Sequence, residues 1–269
     1  MSCDAPETMT LKERTKWVLG RGIVSTGLHR VFLRGGAVIV AFHRVNDMLR
    51  DPLTVSPGAF ESFCRFFRSN FDVIGLGDLV GRLGRGASIH GALAITFDDG
   101  YLDNFEVAAP ILRKLSLPAT FFVATGFLGS TTVPWWDRGL SRQPGWMSWD
   151  HVRTLSGEGF EIGAHTRTHA DLGSIEGDEA EAEIQGSRQD LLDRLGHAPA
   201  HFAFPYGQRL NLSESNRRRI QSAGFKSCVS CFDGLTDPRA DPFHLPRVAV
   251  SSWLRSPEQF VLDMLARAG

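Results

Sequence analysis

Along the chain, short runs rich in β-branched and aromatic residues alternate with stretches of helical spacing. AVIVAF (37–42), DVIGL (72–76), ALAITF (92–97), ATFFVAT (119–125), FEIGAH (160–165), HFAFPYG (201–207), FKSCVS (225–230) and LPRVAV (245–250) read as strands. Between them, residues 56–71 carry Phe60, Phe63, Cys64 and Phe67 on one helical face behind a Ser56-Pro57 start signal. Residues 77–83, 107–115, 149–155 and 180–195 also read as helices. Strands alternating with helices at this spacing predict a parallel sheet, and seven or eight such units predict an α/β barrel. The expected organisation is one barrel domain over residues 37–269 behind an N-terminal extension, 1–36.

Polar residues fall where such a barrel would use them, at the C-terminal ends of strands. His43 follows AVIVAF, Asp98-Asp99 follow ALAITF, His165 follows FEIGA, and Tyr206-Gly207 follow HFAFP. Four strands would therefore deliver acids, bases and ligands to one rim. His165 and His169 are four residues apart in GAHTRTHADL, a spacing that lets two imidazoles face one ion from a helical turn or tight loop. Two such nitrogens and one carboxylate oxygen leave positions for water and substrate, a catalytic pattern suited to zinc or a similar divalent ion; cobalt and nickel suit the same ligands. Adjacent side chains project differently, so one of Asp98 and Asp99 can bind the metal while the other takes a proton from the attacking water. An Asp-Asp-Gly turn alone would be an ordinary loop; its position after a buried strand, with the spaced histidines downstream, gives it weight.

TFDDGY (96–101), HTRTH (165–169) and FPYG (204–207) resemble the first three motifs of the NodB-type polysaccharide deacetylases, carbohydrate esterase family 4. The resemblance extends from about Ala37 to about Trp253. It implies a distorted (β/α) barrel of about seven parallel strands that removes the N-acetyl group of an amino sugar. Asp98 would be the catalytic base, Asp99, His165 and His169 the metal ligands, and the Tyr206 backbone N–H an oxyanion donor. Two departures stand out. The arginine that usually opens the third motif is absent before FPYG, and Arg247 in LPRVAV is the candidate replacement. The family's usual late catalytic histidine is also missing from its place: His244 precedes its strand, whereas His43 ends one. An exopolysaccharide-type subgroup is similar in having such an N-terminal histidine, so His43 is the expected general acid.

Bulk properties narrow the alternatives. The 269 residues, with 42% hydrophobic content, suffice for one large core, and a net charge of −1 provides no basic field for nucleic acid. The expected partner is an N-acetylated saccharide. Residues 11–34 interleave Lys12, Arg14, Lys16, Arg21, Arg30 and Arg34 with apolar positions, compatible with an anionic membrane surface or with simple packing on the barrel. With no leader-like segment and no long apolar run, a cytoplasmic location, peripheral at most to the inner membrane face, is expected. Of the four cysteines, Cys3 and Cys64 stand alone, and Cys228-x-x-Cys231 lacks the second ligand pair of a structural zinc site, so ordinary thiols are expected. Trp135, Trp136, Trp146 and Trp149 cluster between two strands, as sugar-stacking or packing residues. Competing readings are a metal-dependent peptidase or phosphatase, another amidohydrolase or esterase, and a non-catalytic carbohydrate-binding relative. No H-E-x-x-H occurs, and the rim offers fewer carboxylates than a two-metal phosphatase uses.

Overall fold

The computed structural model describes residues 11–28, 36–49, 51–254 and 256–268. Helix α1 (Leu11–Ser25) precedes β1 (Ala37–Phe42), the short β2 (Arg44–Val45) and β3 (Thr54–Val55), α2 (Pro57–Asn70), β4 (Asp72–Val73) and α3 (Leu76–Gly84). There follow β5 (Ala92–Phe97), α4 (Ala109–Leu115), β6 (Thr120–Val123), α5 (Trp149–Gly157), β7 (Glu161–Ala164), α6 (Gly177–Leu195) and β8 (His201–Ala203). The chain continues with α7 (Glu214–Ser222), β9 (Ser227–Asp233), β10 (Leu235–Thr236), β11 (Leu245–Ala249) and α8 (Pro257–Ala268).

Seven strands close a parallel ring in the order β1-β11-β9-β8-β7-β6-β5, with β5 returning to β1. β4 adds in parallel to the start of β5, and β10 adds antiparallel to the start of β1. The alternation of side chains across each strand explains the layers. Val38, Val40 and Phe42 of β1 and Leu93, Ile95 and Phe97 of β5 join the core beneath the helices. Ala37, Ile39, Ala92, Ala94 and Ala203 join Phe122 in a second, smaller cluster on the inner face. The interior is narrow: a Cβ added at Gly163 would lie 2.3 Å from the Phe122 ring. Alanines packed around one inward phenylalanine thus fill the narrow interior of the closed barrel.

Local chemistry sets the helix boundaries. The Ser56 hydroxyl caps α2 by accepting the Ala59 N–H, Pro57 occupies its first turn, and Phe60, Phe63, Cys64 and Phe67 form its buried face. Two expectations need correction. The strand expected over 72–76 ends at Val73, because Leu76 begins α3 and buries with Leu79. The helix expected over 107–115 is regular only from Ala109, behind a π-helical turn at Asn104–Ala108; Pro110 has no N–H to continue the α-helical ladder.

Helix α1 packs against α8, where a Cβ on Gly20 would lie 2.2 Å from the Glu258 carbonyl oxygen. Arg14, Lys16, Val18, Leu19 and Arg21 remain exposed, while residues 29–35, including Arg30 and Arg34, lie outside the described residues, as does Cys3. No helix among the described residues is long and apolar enough to cross a membrane.

Candidate active site

Residues 92, 94, 96 and 98 continue the inward-facing register of β5, so Asp98 enters the ring at its C-terminal end. Arg247 meets it from β11. Its Nη1 donates to Asp98 Oδ1 at 2.7 Å and its Nη2 to Oδ2 at 2.6 Å. The remaining guanidinium donors go to Thr96 Oγ1, the Ser230 carbonyl and Cys231 Sγ, so all five are used. Both partners are buried. Burial pushes the Asp98 pKa up, but Arg247 and the nearby imidazoles outweigh it and hold the carboxyl below its ordinary value.

The chain turns sharply after Asp98, with Asp99 at φ 75°. Its carboxylate faces two imidazoles: Oδ1 lies 3.4 Å from His165 Nε2 and 3.2 Å from His169 Nε2. His165 Nδ1 sits 2.8 Å from the Ala203 carbonyl, which can only accept, so the proton is on Nδ1 and the Nε2 lone pair faces inward. One potential ligand atom from each of Asp99, His165 and His169 lies within 4.8 Å of the other two, and all three residues are buried. Asp99 Oδ1 nevertheless has no hydrogen-bond partner. A buried carboxylate oxygen left without a donor is costly; facing two imidazole nitrogens, it fits a divalent ion held by two nitrogens and one oxygen.

Burial raises the Asp99 pKa, yet His165 and His169 prevail and hold it well below the carboxylate range. Among the described residues, the non-glycine positions with positive φ are Asp99, Ser116, Thr166, His169 and Tyr206, and all but Ser116 belong to this site or its loops. Each such conformation costs about 1–3 kcal/mol, so the surrounding structure must impose it.

His43 follows β1 and lines the same cavity of about 690 Å³ as Asp98, Asp99, His165, His169, Tyr206 and Arg247. Its ring makes no hydrogen bond to any described residue, and burial lowers its pKa, partly offset by Asp99 and Asp98. Tyr206 adopts φ 61° in the turn after β8, followed by Gly207 at φ 66°. The Cys231 N–H donates to the Gly207 carbonyl at 2.8 Å, and a Cβ on Gly207 would lie 2.6 Å from Cys231 N. The turn is thus fixed against β9, and the Tyr206 N–H donates to no described residue. His244 lies at the other end of its strand, exposed and paired with Asp241 and Arg217.

Of the four tryptophans named from sequence, two reach the cavity. Trp136 packs at a tilt against His169 and edge-on against Tyr206, while Trp135 is 64% exposed and donates from Nε1 to the Tyr206 hydroxyl at 3.2 Å. Trp146 instead stacks on Tyr101 and donates to the Thr132 carbonyl, and Trp149 lies beneath Arg194 on α5. Asp137, next to Trp136, is buried and accepts from Arg44 and from the Tyr101 hydroxyl. Sequence reading missed this support, and it also missed Trp253 and Cys231 as cavity residues. Trp253 had a signal, since it closely follows a barrel strand. Cys228 and Cys231, three apart on β9, project to opposite faces; only Cys231 reaches the cavity, and the Cys228 thiol donates to the Phe243 carbonyl.

The chain is 33% identical over 122 residues to a peptidoglycan-N-acetylglucosamine deacetylase of Bacillus cereus, covering 44% of this chain and 37% of the relative. It is 25% identical over 166 residues to a poly-β-1,6-N-acetyl-D-glucosamine N-deacetylase of Staphylococcus aureus, covering 58% and 53%. The chain thus spans about half the length, or less, of these curated relatives. Its fold matches the Streptococcus pyogenes deacetylase PplD with a TM-score of 0.73 at 20% identity, over 85% of this chain and 98% of that one. IcaB from Ammonifex degensii matches with a TM-score of 0.70 at 21% identity, over 87% and 97%. The sequence pattern of the polysaccharide deacetylases runs through residues 86–227, from before the Asp98-Asp99 turn to beyond Tyr206, and the chain belongs to that family.

Proposed function

We propose that this protein hydrolyses the N-acetyl group of an amino sugar within a saccharide, releasing acetate and a free amine. The observation that carries the reading is the placement of two buried carboxylates side by side with different partners. Asp98 is gripped by Arg247, whereas Asp99 Oδ1 is left to face two imidazoles. The first arrangement suits a base and the second suits a ligand.

Asp99, His165 and His169 would hold one divalent ion; zinc, cobalt and nickel all suit this donor set. Bound there, the ion would supply Lewis acidity toward the acetyl carbonyl and the attacking water. Asp98 takes the proton from that water, and Arg247 keeps its carboxylate ionised and aimed. The free Tyr206 N–H, presented by a left-handed turn, donates to the oxyanion as the carbonyl becomes tetrahedral. His43 protonates the departing nitrogen, which lets the C–N bond break. Trp135 leaves most of its ring bare at the cavity, and Trp253, 58% exposed, also lines it. These faces suit stacking on pyranose rings, and the activities of the relatives favour N-acetylglucosamine polymers.

The reading is tested by acetate release from β-1,4- and β-1,6-linked N-acetylglucosamine oligosaccharides, with chelator and after restoring zinc, cobalt or nickel. Release that chelator abolishes and metal restores is expected. A non-catalytic carbohydrate-binding protein would bind these chains without releasing acetate, and release indifferent to chelator would remove the metal from the mechanism.

A further inference from the structure

The loop joining His165 to His169 is held from outside the site by one stripe of α6. The backbone N–H groups of Arg167 and Thr168 both donate to Glu183 Oε2, at 2.8 and 2.9 Å, and the Thr168 hydroxyl donates to Oε1 at 2.7 Å. Two turns further along the helix, Asp190 accepts from Arg167 Nε at 3.0 Å and Nη2 at 3.2 Å. Asp190 also accepts from the Thr125 hydroxyl at 2.7 Å, which ties the same carboxylate to the segment following β6. Between them lies Gly186, where an added Cβ would stand 2.4 Å from Arg167 Cδ. Positions 183, 186 and 190 share a helical face, so carboxylate, bare backbone and carboxylate together seat the Arg167 stem and its peptide.

Every residue between the two histidines is thereby constrained. Thr166 and His169 adopt φ of 60° and 59°, which a free loop of these residues would rarely hold. The Thr166 carbonyl accepts from the Thr125 N–H and the Arg167 carbonyl from the Gly126 N–H, closing the loop on its other side. Glu183 does not touch the cavity that contains Asp99; it acts only through the loop.

We propose that Glu183 and Asp190 are positioning residues for the metal centre, and that they set metal affinity by preorganising His165 and His169. The inference rests on the ligand set Asp99, His165 and His169. Outer supports of this kind typically change metal affinity by about 10–100-fold.

The test measures the affinity of metal-free protein for Zn²⁺ and Co²⁺ by competition with a chromophoric chelator, together with the melting temperature of the metal-free form. Glu183→Ala should weaken affinity by about 10–100-fold and change the Co²⁺ absorption bands, while the metal-free protein melts close to wild type. Glu183→Gln should retain most of the affinity, because its amide oxygen can accept both N–H groups and its amide nitrogen can donate to the Thr168 hydroxyl. Asp190→Asn provides a second variant should Glu183→Ala fail to fold. Unchanged affinity in both Glu183→Ala and Asp190→Asn would overturn the proposal. So would metal-free melting that falls in step with affinity, since the role would then be general stability. His165→Ala keeps the two levels separate. If it binds metal like wild type, the ligand set is wrong, whereas its failure beside a normal Glu183→Ala refutes the clamp alone.

Discussion

Replacing Arg247 with methionine would leave the Asp98 carboxylate buried with its main counter-charge gone. Neither side chain has meaningful access to water, and the guanidinium supplies both hydrogen bonds that hold Asp98 in its bidentate geometry. Breaking a buried pair from one side costs about 3–5 kcal/mol, chiefly through the uncompensated charge. For a chain of this length, unfolding entropy of about 2.1 cal/mol/K per residue converts that loss into a melting shift of roughly 5–9 °C. Asp98→Asn should lose stability for the complementary reason, stranding a guanidinium whose remaining partners are neutral. The double variant removes both charges and should recover a substantial part, giving a coupling energy at the upper end of the ~0.5–3 kcal/mol seen for contacting residues. The assay is thermal and denaturant unfolding of the four proteins in chelator, so that metal binding does not contribute. Activity separates the roles: Asp98→Asn with metal restored should keep its ion and lose about 10²–10⁴-fold in turnover. If Arg247→Met costs less than about 1 kcal/mol, or if the double variant is as unstable as the singles combined, the two charges do not stabilise one another in the folded protein. If Asp98→Asn loses metal while Asp99→Asn keeps it, the roles of the two carboxylates are reversed.

Three further outcomes follow from the geometry. His165→Ala should lose stoichiometric metal and activity together, measured by elemental analysis beside acetate release; full occupancy would remove His165 from the ligand set. His43→Ala should keep its metal and lose most turnover on an N-acetyl sugar, but far less on an activated aryl acetate whose leaving group needs no proton; equal losses on both would assign His43 to orienting the site. His201 is buried on β8 against the Ser227 hydroxyl, and burial lowers its pKa from 6.5. Below pH 6.5 the unfolded chain therefore binds the proton more readily, so this stabilisation is complete above that pH and declines as pH falls toward the folded value. Melting temperatures between pH 7.5 and 5.5 should fall less steeply in His201→Gln than in wild type, and parallel slopes would count against the buried neutral imidazole.

Several strand ends were legible because an apolar run stops there at a polar residue. ALAITF before Asp98 and FEIGA before His165 carry that signal within a few positions. Barrel closure then brings those positions together, so His43, Asp98, His165 and Tyr206 could be assigned to one rim before their distances were known, whereas Arg247 was expected only through the family resemblance. The extent of DVIGL was misread, since the run does not by itself reveal that Gly75 will cap α3 and Leu76 enter it. The run 107–115 was read as one helix, and nothing in its spacing specified the π-helical turn that precedes Ala109. The supports of the site were less legible still. Glu183 and Asp190 look like the solvated face of a polar helix, and only the fold brings the peptide of Arg167 beneath them. Asp137 likewise sits in an unremarkable loop until Arg44, ninety-three residues earlier, is folded onto it.

The pairing of Asp98 with Arg247 also has a consequence for how the chain acquires its activity. The two residues are separated by 149 positions, and β11 is the strand inserted between β9 and β1 to complete the ring. A partly folded barrel lacking β11 could already hold the Asp99, His165 and His169 turns, yet its Asp98 would have neither counter-ion nor fixed orientation. Contacts of such long sequence separation are entropically late to form. During refolding, ion uptake can therefore precede turnover, and the return of activity should keep time with insertion of the last barrel strand.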